Sequence, residues 1–141
     1  MKGFFIRATR VTPSIYFDPG KGLLDIRGKS SPENPLVFYR YINDSIDHFG
    51  KTDKAAITLN AAFEYFNTSS SKCIYILFKK LNDLKVERGK EIHINWYYEE
   101  GDEDMLEAGE DLSSFFNYEF NYVEIPEIKI LGEMKEESSE N

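Results

Sequence analysis

Hydrophobic and polar positions along the chain switch repeatedly between two periods, and each switch marks an element. The opening GFFIRATR is rich in apolar and β-prone residues and reads as a strand. Two further runs, 14–17 and 23–27, flank Asp18, Pro19 and Gly20. In that turn Pro sets φ and Gly tolerates positive φ, so the segment predicts a β-hairpin. The period then lengthens. Asn34 and Pro35 suit an N-cap and a first helical position, and Leu36, Phe38, Tyr39, Ile42, Ile46 and Phe49 recur at helical spacing. Gly50 suits a C-terminal stop, which bounds a helix over 35–49.

KAAITLNAAFEYF returns to a period of two, with Ile57, Leu59, Ala61, Phe63 and Tyr65 on one side. A second helix is expected over about 68–87, with Ile74, Leu77, Leu81 and Leu84 on one face and Gly89 after it. Lys79, Lys80, Lys85 and Arg88 crowd its C-terminal part, where cations suit the helix dipole. EIHINWYY reads as a further strand, and EEGDEDMLEAGEDLSSFFN as an acidic loop leading into a third, weaker helix. YVEIPEIKI reads as a short edge strand, because Pro126 bars a central place. The order is β-β-β-α-β-α-β-α-β. It predicts a mixed α/β fold, with an N-terminal hairpin, a mixed sheet and about three helices packed on it through right-handed crossovers. One domain is expected over 1–131, and the polar, acidic tail 132–141 is expected to fray.

Composition narrows the setting. With 141 residues, 41% hydrophobic and 15% aromatic, the chain can build a core without staples. Its one cysteine, Cys73, permits no internal disulfide, which points to a reducing, cytoplasmic location and a buried structural thiol. The first apolar run ends at Arg7, too short for a signal peptide, and no stretch approaches the ~20 apolar residues of a membrane span. A net charge of −8 argues against nucleic acid or anionic lipid as the main partner, since phosphate binding rests on Lys and Arg.

Candidate chemistry concentrates at FEYFNTSSSK, where Thr68, Ser69, Ser70 and Ser71 stand in a row at a strand–helix junction. Asn67 or Thr68 suffices as a cap, and serines are indifferent helix formers, so a cap does not explain four hydroxyls. A helix N-terminus welcomes an anion, and a phosphate on a hydroxyl there brings about −1.5 to −2 charge. Lys72, four residues after Thr68, can pair with it. The segment lacks the Gly-rich loop of nucleotide cradles. It therefore reads as a phosphorylation switch or as a site for a free phosphate, with Thr68 first among the four hydroxyls and Asn67, Ser69, Ser70, Ser71 and Lys72 around it.

The second concentration is acidic: Glu99, Glu100, Asp102, Glu103, Asp104, Glu107, Glu110 and Asp111. The spacing does not fit a calcium loop. The plainer reading is a solvated segment that stabilises the start of the third helix. A docking surface is a further reading, in which Glu99, Glu100, Asp102, Glu103 and Asp104 join Tyr65, Trp96, Tyr97 and Tyr98 as candidate partner-binding residues. His48 and His93 are distant in sequence, and no motif gives either of them a nucleophile to serve. The chain is accordingly expected to be no enzyme and to need no cofactor. The alternatives are a metal-binding domain or small metal-dependent hydrolase using 99–111, and a dimeric scaffold without a switch. Both monomer and homodimer remain open.

FEYFNTSSSK, together with TPSIYFDPGKGLLDIRGKSSPENP, the overlapping GKSSPENPLVFY and NWYYEEGDEDMLEAGED, resembles the SiaC-type bacterial regulatory phosphoproteins over roughly residues 12–120. The resemblance implies a fold similar to the STAS domains of anti-sigma-factor antagonists. It also implies phosphorylation of the threonine in the NTSS motif, here Thr68. A Ser/Thr kinase would add the phosphate and a type-2C-like phosphatase would remove it. The unmodified form would bind and activate a diguanylate cyclase, which places the chain in cyclic-di-GMP signalling.

Overall fold

A computed structural model describes residues 1–116 and 118–132. The elements are β1 (Phe4–Ile6), β2 (Ser14–Asp18), β3 (Leu23–Ser30), α1 (Pro35–Gly50), β4 (Ala56–Phe66), α2 (Thr68–Arg88), β5 (Glu91–Glu99), α3 (Glu103–Ser114) and β6 (Asn121–Ile125). Order and type follow the expectation from sequence. The expected tail lies outside the described residues from 133 onward; Gly132 is still described and packs near Phe5 and Arg7.

The strands form one six-stranded sheet in the order β1-β2-β3-β4-β5-β6. β1, β2 and β3 pair antiparallel, while β3, β4, β5 and β6 pair in parallel. Each of α1, α2 and α3 therefore joins two adjacent parallel strands, and the three crossovers step in the same direction. Crossovers of one hand stepping one way place their helices on one face. The core confirms it: Phe17, Leu24, Leu59, Phe63, Ile94 and Trp96 from the sheet bury against Ile42, Phe49, Leu77, Phe78 and Met105 from the helices. The opposite face carries a row of polar side chains in register, in which Asn121 donates to Asn95, Asn95 to Asn60, and Asn60 to Asp25. Arg27 closes the row on the Asp25 carboxylate at 2.7 Å.

Three local expectations change. Leu36 keeps helical phase but is 65% exposed, in the first turn of α1. Gly50 is the last residue of α1, and Lys51 caps it in right-handed geometry. Gly50 serves packing instead, since a Cβ there would lie 2.5 Å from Leu84 Cδ2. Gly89 does end α2 in the left-handed region, at φ 68°. Tyr65 leaves the face assigned to it. β4 carries a bulge: Gly28 pairs with Phe63 but Lys29 pairs with Tyr65, so Glu64 is extra and the alternation flips beyond it. Tyr65 turns outward, while Phe66 packs edge-on to Phe63 at 5.5 Å.

Trp96 anchors the far side of the core. Its indole N–H donates to the Met105 carbonyl at 3.0 Å, and Gly109 of α3 lies flat against the ring. A Cβ on Gly109 would meet the indole at 2.6–2.7 Å, and neither the ring nor the helix can yield in a packed interior. Gly109→Ala is therefore expected to destabilise by about 1–3 kcal/mol, measurable as a lower urea midpoint with an unchanged slope.

Candidate functional site

Because β3, β4 and β5 are parallel, the starts of α1, α2 and α3 line one end of the sheet. Each start has its own side-chain cap. Asn34 accepts from the Val37 amide, Asn67 from Ser70 and Asp102 from Met105. Between the two caps considered for α2, the structure selects Asn67, whose Oδ1 lies 2.9 Å from the Ser70 amide. The Ser71 amide bonds the Asn67 carbonyl. This leaves the amides of Thr68 and Ser69 at the open mouth of the helix, where partial positive charge collects.

The four hydroxyls divide into different tasks. Ser70 is fully buried and hydrogen-bonds Ser30 Oγ at 3.0 Å, and Ser30 Oγ bonds the Tyr39 hydroxyl at 2.7 Å. This buried chain ties the end of β3, α1 and the first turn of α2 together. Burial pushes the Tyr39 phenol well above its ordinary pKa, against the opposing effect of its bond to Ser30. Ser71 donates to the Thr68 carbonyl at 2.6 Å. Thr68 and Ser69 are exposed. Of the residues expected to surround the switch, Ser70 is a structural member of the interior, and Asn67 is the cap. Cys73 is buried close behind, and burial raises its thiol pKa.

One turn further, α2 and α3 enclose a groove of about 480 Å³. Ile74, Tyr75 and Ile76 line one wall, Ala108, Leu112 and Phe115 the other, and Phe66 the base, with Lys72 and Asp111 at the rim. Phe115 is 67% exposed and meets Tyr75 edge-on at 5.4 Å. Helix α3 as a whole is acidic, with Glu103, Asp104, Glu107, Glu110 and Asp111 and no Lys or Arg, and of these Asp111 lines the groove. The sequence reading missed this groove, and it missed Ser30 and Tyr39. The available signal was that Tyr75, Ile76 and Phe115 are large apolar residues off the expected core stripe.

The proposed docking quartet does not form one surface. Trp96 is 0% exposed, because the alternation of β5 turns Ile94 and Trp96 under the helices. Tyr98 is half-buried against the core, whereas Tyr97 lies on the opposite face under the Arg27 guanidinium. Tyr65 is the member that stands well exposed, at 53%. Among the acidic candidates, Asp102 caps α3, Glu99 accepts from the Ile128 amide at 2.9 Å, and Glu103 and Asp104 complement the first turn of α3. Glu100 is exposed in the turn before it. Among the described residues, no group of three or more His, Cys, Asp or Glu side chains gathers to hold a metal ion. No helix among them is long and apolar enough to cross a membrane.

The model of the SiaC family of regulatory phosphoproteins matches residues 6–125. The chain belongs to that family. A curated relative from Pseudomonas aeruginosa strain UCBPP-PA14, described as uncharacterised, is 26% identical over 120 residues, covering 85% of this chain and 94% of its own. SiaC of Pseudomonas aeruginosa shares the fold with a TM-score of 0.81 at 24% identity, covering 89% of this chain and all of that one. The same SiaC in complex with the diguanylate cyclase SiaD, as its activator, gives a TM-score of 0.81 over 86% of this chain and 99% of that one.

Removing the buried Ser70 hydroxyl leaves Ser30 short of a partner, so Ser70→Ala is expected to cost about 1–3 kcal/mol by urea unfolding. The Tyr39 pKa lies above its unfolded value of about 10, so the stability linked to it is whole below that pH and is lost as pH rises beyond it. Tyr39→Phe should therefore lose less stability than the parent between about pH 10 and 11, when both are unfolded in urea at each pH.

Proposed function

We propose that this SiaC-family chain is a non-catalytic switch in which phosphate on Thr68 sets whether a protein partner docks at the mouth of α2. The observation that carries the reading is the division of hydroxyls. Asn67 serves as cap and Ser70 is sealed inside, while Thr68 presents its side chain to solvent at the first helical position. A phosphate there meets the positive end of the helix and stands one turn from Lys72.

The groove between α2 and α3 is the docking surface in this reading. It begins at Ser71 and Lys72, a turn after Thr68, and Phe115 and Ile76 leave apolar area uncovered. A partner that closes over it must strip water from whatever stands at its mouth. An uncharged threonine costs little, whereas a dianion resists desolvation and repels acidic groups of the partner. Phosphorylation is thus the off state. The partner is a diguanylate cyclase, in line with the family and with the complex known for the Pseudomonas protein. A Ser/Thr kinase adds the group and a type-2C-like phosphatase removes it.

Two measurements test this. Fragment mapping of protein purified from its native cells should find phosphate on Thr68 and none on buried Ser70. In pull-downs with the cyclase from the same cells, Thr68→Ala should bind like the unphosphorylated parent, whereas Thr68→Asp should bind at least about tenfold more weakly, ~1.4 kcal/mol. Equal binding by both variants would sink the switch.

A further inference from the structure

Beyond residue 125, where the family match ends, the chain turns back across the sheet face opposite α1, α2 and α3. Ile128 is 5% exposed and its amide donates to Glu99 Oε2. Ile130 reaches Gly28, where a Cβ would lie 3.3 Å from its Cγ2, and Gly132 arrives beside Phe5 and Arg7 at the first strand. The segment thus spans from β5 to β1. At Gly28 and Glu64 it meets the bulge at which Glu64 drops out of register. Glu64, Gly28, Lys29, Glu127, Ile128 and Ile130 surround a cavity of about 240 Å³ beneath it.

We infer that residues 126–132 are a clasp that holds the β3–β4 bulge, and that Ile128 and Ile130 are positioning residues for the turn that presents Thr68. This rests on the reading of Thr68 as the switch. The route is continuous. A bulge breaks the ladder and bends its strand, so its geometry depends on what packs against it. Gly28 sits at φ 121°, a conformation that excludes a side chain, and Ile130 fills the space a side chain would have taken. Past the bulge, Ser30 pairs with Phe66, and the Ser30 carbonyl accepts from the Asn67 amide at 3.1 Å. Asn67 then holds the amides of Ser70 and Ser71. A change in the bulge therefore reaches the cap of α2 through three consecutive hydrogen-bonded residues. The clasp fits this face because Ile130 lies at Gly28, Ile128 is buried, and Ala62, which alternation along β4 turns to the same face, is wholly buried.

The test is amide hydrogen exchange by NMR on the full chain, comparing the parent with Ile128→Ser, Ile130→Ser and Ile130→Val. The amides of Asn67, Ser70 and Ser71 report on the turn, and those of Thr58 and Glu91, bonded to Gly22 and Ala55 at the other end of the sheet, report on global stability. Both serine variants should speed exchange at the turn by at least about tenfold relative to Thr58 and Glu91, and Ile130→Val should restore it. An unchanged turn, or equal acceleration at both ends, would overturn the clasp. Should a serine variant fail to fold, the alanine variant at that position is read by the same comparison. Intact mass of the parent is measured separately: absence of phosphate on Thr68 would remove the switch reading while the exchange result still decides the clasp.

Discussion

The parallel pairing of β3 with β4, β4 with β5 and β5 with β6 is the constraint on which the rest of the molecule depends. Parallel neighbours need a crossover, and each crossover here is one helix stepping to the next strand. Two consequences follow directly. All three helices share a face, so one core serves the whole sheet, with Trp96 and Phe63 sandwiched between β-strands and helices. The helix starts also share an end, so three sets of partly positive amides stand in a row. α1 and α3 begin with caps that complete their first turns, whereas α2 begins with a cap and exposed hydroxyls besides.

Burial of hydroxyls at that junction needs explaining in energetic terms. A hydroxyl taken from water without a partner costs several kcal/mol on apolar reference scales, and a bonded one costs far less. Ser30, Tyr39 and Ser70 satisfy one another in the interior. The arrangement fixes the rotation of the first turn of α2, since Ser70 inward forces Thr68 outward, two residues and about 200° around the helix. The hydroxyls left to solvent, Thr68 and Ser69, are thus set by the one that is hidden. Lys72 follows a turn after Thr68 on the same side and lines the groove between α2 and α3.

The face opposite α1, α2 and α3 solves a different problem. Three asparagines and Asp25 hydrogen-bond across four strands, which keeps that surface polar and each side-chain amide paired. At the end nearest Thr68 the ladder is interrupted by the bulge, and there the returning segment 126–132 supplies apolar cover instead. Polar pairing protects the regular part of the face, and packing protects the irregular part.

Element type and order were determined by the sequence, because periodicity, Pro and Gly act locally: Asp18-Pro19-Gly20 turns the chain, Asn34-Pro35 starts a helix and Gly89 ends one wherever they stand. The buried stripes of α1 and α2 were legible for the same reason, and so was the position of Thr68 at a helix start. Tertiary structure decided what depends on neighbours distant in the chain. A one-residue bulge, set by pairing with Gly28, turned Tyr65 out and Phe66 in. Trp96 became core because the crossover by α3 covers its side of β5, and an aromatic run carries no mark of which face is covered. Ser70 became structural because Ser30, forty residues away, meets it in the interior. Local preference specifies conformation along a chain; which side chains are sealed, paired or presented is specified by the segments that fold back upon them.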